Sequence, residues 1–537
     1  MFSFLNAESK SIVSAAAIIG ALSFASRFVG LIRDRILAGA FGAGNTLDVY
    51  YAAFKLPDFT FSLLVVGALS ASFIPLFAKY YFGHADRARA WKLTNNVLHV
   101  IVLVVVVACA GIFIFADPLS YLIAPGFTGE KHAMVAAFTR VMLVAQILLA
   151  GSVIFGSVLQ GLKRFFLYAL APILYNVGII IGVLFFVPWF GIIGLAWGVV
   201  FGALLHFLLQ TYGVMKAGYR YAWTFNWRDK DALDIIRLMG PRMVSIASSQ
   251  IMFVVFTSLA STLAVGSVTV FQFAYNIQFF PIGIIGFAYA VAVFPTFAEC
   301  LSRGEKDKFI RIFSSTVRQM FFLMLPMTLL FLIMRSQIVR VVVGAGAFDW
   351  TATKNTADVL AFFTLSFIAQ SLIFILSRVF YALHDTMTPL VIAIVTDLLG
   401  FISALWFAQF FGAVGLAMAF SISAVVEALL LWVILRQRIG SLDEAKMVRS
   451  VYVMSTAAIF AGLVMLLTKY WVVHYITLDT FFAVLAQGFI AGSVGLVVYA
   501  VIAYALKSEE LHDLLTGVKR RLMKKTVLEE PIAVDGS

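Results

Sequence analysis

Reactive and metal-binding residues are scarce in this chain of 537 residues. Its two cysteines, Cys109 and Cys300, lie inside apolar runs, which argues against a disulfide framework. The seven histidines are scattered without the spacing of metal ligands, and the chain has neither a GxxxxGKS/T phosphate loop nor a GxSxG nucleophile elbow. We therefore expect no catalytic residues, no metal site, no cofactor and no ATPase domain.

Charge is also scarce, because only 12% of the residues are charged while 62% are hydrophobic, with 53 phenylalanines. The mean hydropathy of +1.00 is that of a membrane protein. A spanning helix needs roughly 20 mostly apolar residues. Such runs predict an all-α polytopic membrane protein with about fourteen transmembrane helices, near 12–41, 48–82, 95–117, 133–161, 166–188, 190–215, 234–264, 267–299, 309–334, 355–383, 387–409, 411–436, 447–471 and 480–506.

Lysine and arginine alternate between rich and poor connecting loops. Short cytoplasmic loops keep positive charge, so the alternation predicts that both termini lie in the cytoplasm. One predicted outer segment, 335–354, departs from the pattern with Arg335, Arg340 and Lys354. The net charge of +12 follows from this topology and requires no nucleic acid partner.

An internal repeat divides the predicted helices. Phe190–Gly198, FGIIGLAWG, recurs as Phe411–Ala419, FGAVGLAMA, 221 positions later, and Pro75 and Pro295 lie 220 apart. The offset covers about six helices. We expect a cytoplasmic segment 1–11, two pseudo-symmetric six-helix bundles at 12–215 and 234–436, helices 13 and 14 at 447–506, and a basic cytoplasmic tail at 507–537. An even number of spans per copy gives both copies the same orientation, with the substrate pathway between them.

Ionisable residues interrupt the apolar pattern between Ser26 and Asp58. At membrane depth such groups usually face a polar pathway or one another, so they mark a candidate site: Arg27, Arg33, Asp34, Asp48 and Lys55. Arg27 and Asp34 share one helix face, whereas Arg33 points elsewhere unless the helix bends. Simpler roles stay open, because Arg33 and Asp34 can form an interfacial ion pair, Asp48 can cap the second helix, and Lys55 can extend to the lipid interface.

Several strings resemble the MurJ/MviN family of the multidrug/oligosaccharidyl-lipid/polysaccharide exporter superfamily. They are SRFVGLIRD at 26–34, FGAGNTLDVYYAAFKLPD at 41–58, SFIPLFAKY at 72–80 and SRVFYALHDTMTP at 377–389. The resemblance covers about residues 12–506. It implies a flippase of the bacterial inner membrane that moves lipid II, the undecaprenyl-pyrophosphate-linked peptidoglycan precursor, by alternating access.

The resemblance also implies roles for particular residues. Arg27 and Arg33 would hold the pyrophosphate, and Asp48 would pair with an arginine in the empty cavity. Helices 13 and 14 would form a groove for the lipid tail, and the cell-wall synthesis machinery is an implied partner. Two residues that the resemblance does not imply complete the expected substrate-binding set: Arg378, which lies at or near membrane depth, and Asn276, whose amide can form hydrogen bonds with sugar hydroxyls.

The chain departs from the family pattern at three places. Phe61, Ser62 and Val66-Gly67 replace an arginine pair and a Glu-Gly step in the second helix, and Tyr275, Asn276 and Phe279 replace charges in the eighth. Phe256, Gly400 and Ala404 occupy positions that form a sodium site in some members. Two transport alternatives therefore stay open, a flippase for another polyprenyl-linked oligosaccharide and a cation-coupled drug exporter. A membrane scaffold without transport is the alternative from a different class.

Overall fold

The fold is built from helices. A computed structural model describes residues 12–63, 67–83, 86–478 and 480–516, and over these ranges it contains no strand. The helices of the first half are α1 Ile12–Phe41, α2 Asn45–Ala53, α3 Lys55–Phe61, α4 Gly67–Ala78, α5 Arg87–Ile114, α6 Ala116–Ile123, α7 Gly129–Gly161, α8 Phe165–Ile181, α9 Val187–Phe190, α10 Gly194–Met215 and α11 Lys230–Ser261. Those of the second half are α12 Ser267–Pro281, α13 Ala288–Ser302, α14 Lys306–Ile333, α15 Arg335–Val342, α16 Trp350–Thr364, α17 Phe367–Ala382, α18 Met387–Phe411, α19 Ala413–Ile439, α20 Glu444–Val473 and α21 Phe481–Ala505.

Long apolar helices confirm the predicted class of polytopic membrane protein. Among the described residues, nine helical segments are long and apolar enough to span a bilayer. The pair α16 and α17, bent by 46°, raises the number to ten if it forms one span. The count of fourteen stays a prediction, as do the two-bundle division and the orientation of the termini.

The predicted span 48–82 is not one continuous helix. The chain forms α2, α3 and α4 there, with a break at Phe54 and with residues 64–66 outside the described ranges. Pro57 explains the break, because it has no N–H to donate to the carbonyl of Ala53. The predicted segment 1–11 and residues 517–537 of the predicted tail also lie outside the described residues.

Two compact units make up the described chain. The first comprises the described residues up to Ile277 together with Val342–Val359 and Asp397–Phe420. The second comprises Gln278–Val341, Leu360–Thr396 and the described residues from Ser421 onward. Each unit is considered by itself below.

Glycines bring α8 and α10 into close contact in the first unit. A Cβ on Gly178 would lie 2.2 Å from the Cα of Gly202, and one on Gly182 would lie 2.4 Å from the Cα of Gly198. Small residues four apart allow helix backbones to meet in this way. The contact positions α8, which also packs against α1.

Backbone geometry reproduces the sequence repeat. Helices α7 and α17 are each followed, two positions after their last residue, by a left-handed residue. These are Lys163 at φ 59° and His384 at φ 60°, 221 positions apart. The following N–H groups close equivalent bonds, from Arg164 to the Leu159 carbonyl at 2.8 Å and from Asp385 to the Phe380 carbonyl at 2.9 Å. Both ends are Schellman motifs. The same local structure is therefore encoded twice.

The repeated GLA strings also occupy matching surroundings. A Cβ on Gly194 would lie 2.5 Å from the carbonyl oxygen of Phe186, and one on Gly415 would lie 2.3 Å from that of Phe407. Each glycine thus sits on the carbonyl of a phenylalanine eight residues earlier, in a space that no larger residue fits.

Helices α20 and α21 lie where helices 13 and 14 are predicted, and they pack on each other and on α14 in the second unit. Buried Arg318 of α14 pairs with buried Glu510, whose carboxylate also accepts a 2.8 Å bond from the Ser450 hydroxyl of α20. This ion pair fixes the chain that follows α21.

Candidate functional site

An ion pair on α1 forms the centre of the candidate site. Asp34 is 2% exposed, and its Oδ1 accepts bonds from Nε and Nη2 of Arg33 at 3.0 and 2.8 Å. The two residues are adjacent, so their Cα–Cβ bonds point in different directions. The long Arg33 side chain nevertheless reaches Asp34 within one continuous helix, and the bend anticipated from the sequence is not needed for this contact.

A third donor of Arg33 connects α1 to α8. Its Nη1 donates to Oδ1 of Asn176 at 2.9 Å, while the Asn176 amide donates to the Pro172 carbonyl at 3.0 Å. Pro172 lies inside α8, and the Asn176 side chain bonds to its carbonyl oxygen four residues back. Arg33 is therefore held from two sides, by a carboxylate and by a neutral amide.

Amide side chains extend the network from Asp34 to α12 and α3. Asn276 donates to Oδ2 of Asp34 at 2.9 Å and accepts from Gln272 at 3.0 Å. Gln272 in turn accepts from the Lys55 ammonium at 3.0 Å. We call this connected set the polar relay, and it runs through six side chains: Asn176, Arg33, Asp34, Asn276, Gln272 and Lys55.

The charge of the polar relay suits an anion. It contains two cations and one carboxylate, so its formal charge is +1. In the structure, Asp34 accepts bonds from Nε and Nη2 of Arg33. An incoming phosphate would compete with this carboxylate for the same two donors. Arginine binds phosphate oxygens through two parallel N–H groups, whereas lysine acts as a point charge. Exchange of carboxylate for phosphate at Arg33 is the chemistry that this geometry favours.

Asp48 has a different role from the one expected. The N-cap of α2 is Gly44, and Asp48 lies in the first turn, so the expectation that it caps its own helix is wrong. Its Oδ2 accepts the Gly266 N–H at 2.6 Å, and its Oδ1 accepts the Thr269 N–H and hydroxyl at 2.9 and 2.7 Å. Asp48 thus caps α12, whose free N–H groups attract a carboxylate. These groups, not an arginine, use its oxygens here.

Two predicted residues lie apart from the polar relay's centre. Arg27 is on α1, six positions before Arg33, and is half-buried. Arg378 belongs to the second unit, where its guanidinium lies over the Phe294 ring at 5.4 Å from the ring centroid. Lys55 does not depend on the lipid interface for a partner, since it bonds to Gln272 and lies 5.7 Å from the Phe253 ring centroid.

Asn176 was missed by reasoning from the sequence. A single asparagine in an apolar helix is a weak signal, and the YNVG string after Pro172 gives no charge to notice. Thr269 was also missed. Its position was available in the sequence, since it lies 221 residues after Asp48, the same offset that separates the two GLA strings.

Residues that replace the family's charges are packed or hydrogen-bonded. The Ser62 hydroxyl accepts from Gln250 at 3.0 Å. The Phe256 ring is 2% exposed and stacks on Phe271 with centroids 5.5 Å apart. Ala404 is fully buried. An aromatic ring thus fills a position where the resemblance led us to expect a sodium ligand.

A family model and curated relatives agree on one family. A family model described as lipid II flippase MurJ matches residues 37–506. The chain is 27% identical over 428 residues to the probable lipid II flippase MurJ of Borreliella burgdorferi, covering 78% of this chain and 83% of the relative. It is 27% identical over 431 residues to the lipid II flippase MurJ of Burkholderia cenocepacia, with coverage of 78% and 83%.

Solved structures share the fold. The lipid II flippase MurJ in an inward closed conformation matches with a TM-score of 0.75 and 23% identity, over 91% of this chain and 99% of that one. An inward-facing multidrug resistance MATE family transporter of the MOP superfamily matches with a TM-score of 0.67 and 18% identity, over 80% and 99%.

Proposed function

We propose, on the premise that this chain belongs to the MurJ family of lipid II flippases, that it moves lipid II between the leaflets of the bacterial inner membrane by alternating access. The observation that carries the proposal is the polar relay on α1, α3, α8 and α12. It places an arginine, whose guanidinium is oriented from two sides, among largely apolar helices.

Arg33 would bind the pyrophosphate of the substrate. In the unloaded state, Asp34 neutralises the guanidinium, which lowers the cost of keeping a cation among apolar helices. Arrival of a pyrophosphate replaces one anion by another, so Arg33 keeps a partner throughout. Asn276 would then hold Asp34 away from the substrate, because its amide already binds the second carboxylate oxygen.

Movement between states would require the contacts of α12 to change. Asn276 and Gln272 lie on α12, and Asp48 caps the same helix, so α12 is held by α1, α2 and α3. Breaking the bond between Lys55 and Gln272 on substrate binding would release one of these attachments, the one to α3, while Asn276 keeps its bond to Asp34. We expect no catalytic step. The membrane potential can contribute about 2.3 kcal/mol per charge and 100 mV to the outward movement of an anion.

Complementation tests the proposal. A bacterium depleted of its own flippase would receive this chain, and lipid II on the outer leaflet would be counted by its accessibility to an external probe. Wild-type protein should restore growth and accessible lipid II. Asn276→Leu should lower the rate at which lipid II reaches the outer leaflet by about tenfold, because Asp34 loses the charge-assisted bond from the Asn276 amide. Gln319→Leu is the matched control, since Gln319 bonds only weakly, at 3.4 Å, within its own helix.

The alternatives give different results. A membrane scaffold would tolerate the double variant Arg27→Ala/Arg33→Ala with normal growth, whereas a pyrophosphate carrier would not. Reconstituted protein that flips another polyprenyl-linked oligosaccharide but not lipid II would replace the proposed substrate. Inserted protein that flips neither would reject flippase activity altogether.

A further inference from the structure

A cavity outside the polar relay lies among α5, α7, α10 and the loop that follows α10. Its volume is about 460 Å³, within the range of pockets that bind small molecules. The wall is apolar apart from Thr211 and the one charged lining residue, Arg220; its apolar residues include Leu98, Phe155, Phe207 and Met215. Met215 is 62% exposed, so the cavity opens to the outside of the helices.

Residues of α5 hold the loop in place over this cavity. Asn95 accepts from the Tyr219 hydroxyl at 2.5 Å, and Asn96 both accepts from the Asn226 N–H at 2.7 Å and donates to its carbonyl at 3.0 Å. His99 bonds the Thr224 carbonyl at 2.9 Å through Nδ1, which must be the protonated nitrogen because a carbonyl only accepts. Its Nε2 forms a second bond, with the Tyr221 hydroxyl at 3.0 Å, in which the nitrogen accepts when the ring is neutral. The cavity is therefore a built feature and not a gap under a loose loop.

The loop presents aromatic rings to its surroundings. Every second residue from 219 to 227 is aromatic, and residues 219–226 form neither helix nor strand. The aromatic residues beyond Tyr219 are exposed: Tyr221 by 63%, Trp223 by 77%, Phe225 by 45% and Trp227 by 59%. Exposed tryptophan and tyrosine beside a spanning helix are typical of the zone where lipid headgroups meet acyl chains. The loop therefore lies at the membrane surface.

The depth of the cavity matches an acyl chain. Met215 is the last residue of α10, and Thr211 and Phe207 lie one and two turns further into this apolar helix. The mouth is thus at headgroup level and the interior at acyl-chain level. Arg220, the charged residue of the cavity wall, follows the end of α10 by five positions and therefore lies on the mouth side of the cavity. A basic residue close to the membrane surface attracts anionic lipid.

We propose that this cavity binds one acyl chain of an anionic glycerophospholipid, with the headgroup phosphate at Arg220. The leaflet is the one that the lysine- and arginine-rich loops face. A phospholipid fits better than a polyprenyl pyrophosphate, because the cavity offers a single cation to its ligand. The site is separate from the polar relay and has no member in common with it.

Photo-crosslinking tests the site. Full-length protein would be placed in nanodiscs that contain phosphatidylglycerol with a diazirine near the end of one acyl chain, and labelled peptides would be mapped by mass spectrometry. We expect labels on the segments around Phe155 and Phe207. Unlabelled phosphatidylglycerol should compete with the probe better than phosphatidylcholine does.

Three variants sharpen the result. Arg220→Gln should lower labelling by about fivefold, the effect of one cation on an anionic lipid. Arg228→Gln removes the same charge from the same loop but not from the cavity wall, and should leave labelling unchanged. Thr211→Phe should reduce labelling of the cavity to background, because the larger side chain fills it. The Thr211 hydroxyl donates to the Phe207 carbonyl of its own helix, so its loss breaks no bond between helices.

Measurements on the wild-type protein decide the proposal even if a variant does not fold. Equal labelling with a phosphatidylcholine probe, labels spread evenly over the lipid-facing helices, or stronger competition by undecaprenyl phosphate than by phosphatidylglycerol would each overturn it. None of these results bears on the flipping of lipid II, which the complementation assay measures.

Discussion

Arg33 uses all three nitrogens of its guanidinium group in the polar relay. Two donate to one oxygen of Asp34 and the third donates to Asn176. The group is planar and rigid, so these bonds set its orientation as well as its charge. A side chain with the same charge but without the planar guanidinium would leave either Asp34 or Asn176 without its bond.

Replacement of Arg33 by lysine tests whether orientation matters. Arg33→Lys keeps the positive charge but cannot bond Asp34 and Asn176 together, and we expect the flipping rate to fall by about tenfold. The rate would be measured in proteoliposomes with equal amounts of inserted protein. Arg303→Lys is the control, because Arg303 forms an exposed ion pair with Glu299 on its own helix. An unchanged rate in Arg33→Lys would show that charge alone suffices.

Charged members of the polar relay are predictable from the sequence, whereas its connections are not. Arg33, Asp34 and Lys55 stand out because ionisable residues are rare in apolar helices. Asn176 does not stand out, since neutral amides commonly bond between membrane helices. The contacts join residues 143 and 242 positions apart, and no local pattern specifies such pairs.

At the scale of helices, the contact between α8 and α10 supports the site. Asn176 lies two residues before Gly178, which meets the backbone of α10 at Gly202. Wider separation of the two helices would move Asn176 relative to Arg33. The glycines at this contact, Gly178 and Gly202, therefore act on the polar relay through the position of α8.

An added methyl group at this contact should disrupt it. A Cβ on Gly202 would lie 2.4 Å from the Tyr175 carbonyl oxygen, so Gly202→Ala should lower the free energy of unfolding by about 2 kcal/mol. Thermal unfolding in detergent, followed by tryptophan fluorescence, would measure the change. Gly111→Ala is the control within another apolar helix, where the added Cβ meets nothing within 4 Å. Equal stability of the two variants would contradict the importance of the contact.

The start of α18 depends on Asp385 for its capping bonds. Asp385 accepts the N–H groups of Met387 and Thr388 at 3.0 and 2.9 Å and pairs with Arg438 of α19. Partial burial opposes ionisation, but the bonds from Thr388 and the charge of Arg438 outweigh it, so the pKa of Asp385 lies below its ordinary value. The motif HDTMTP thus contains a helix cap.

The lowered pKa of Asp385 gives a pH dependence with a definite sign. The ionised carboxylate stabilises the fold fully above the unfolded pKa of about 3.9, and this stabilisation is lost as the pH falls through the lower folded value. Wild-type protein should therefore unfold at a higher temperature than Asp385→Asn at pH 7, and the difference should shrink below about pH 4. A difference that is constant between pH 7 and pH 3 would exclude this carboxylate as its source.

Helix class and approximate position were predictable, but breaks in helices were not. Apolar length predicts spans such as α20 and α21 within a few residues. The division of 48–82 into α2, α3 and α4 has a local cause in Pro57, yet prolines also occur inside continuous helices here, at Pro172 and Pro326. Tertiary packing decides which outcome a proline has.

At the scale of the whole molecule, equivalent positions in the two copies of the repeat can be compared with each other. Lys163 and His384 are both exposed, both left-handed and both follow the last turn of a helix. A residue with a Cβ in this conformation is strained by roughly 1 kcal/mol, and glycine is not. The same substitution at either position should therefore change the stability of the protein by a similar amount.

Paired glycine substitutions test this equivalence. Lys163→Gly and His384→Gly should each raise the unfolding temperature by a similar amount, because relief of strain exceeds the entropy gained by the unfolded chain. Lys216→Gly should lower it, since Lys216 ends α10 with an ordinary φ of −67°. Opposite signs for Lys163 and His384 would refute the equivalence. Thermal unfolding in the same detergent compares all three.

Asp48 and Thr269 occupy equivalent positions of the two repeats and also bind each other. In a symmetric pair of identical chains, a position that meets its own counterpart must present the same side chain twice. Two aspartates there would repel, and two threonines would lack a carboxylate to cap the helix. Two copies within one chain are free of that restriction. Here one copy supplies the acceptor and the other the donors, an asymmetry that two identical chains could not have at this position.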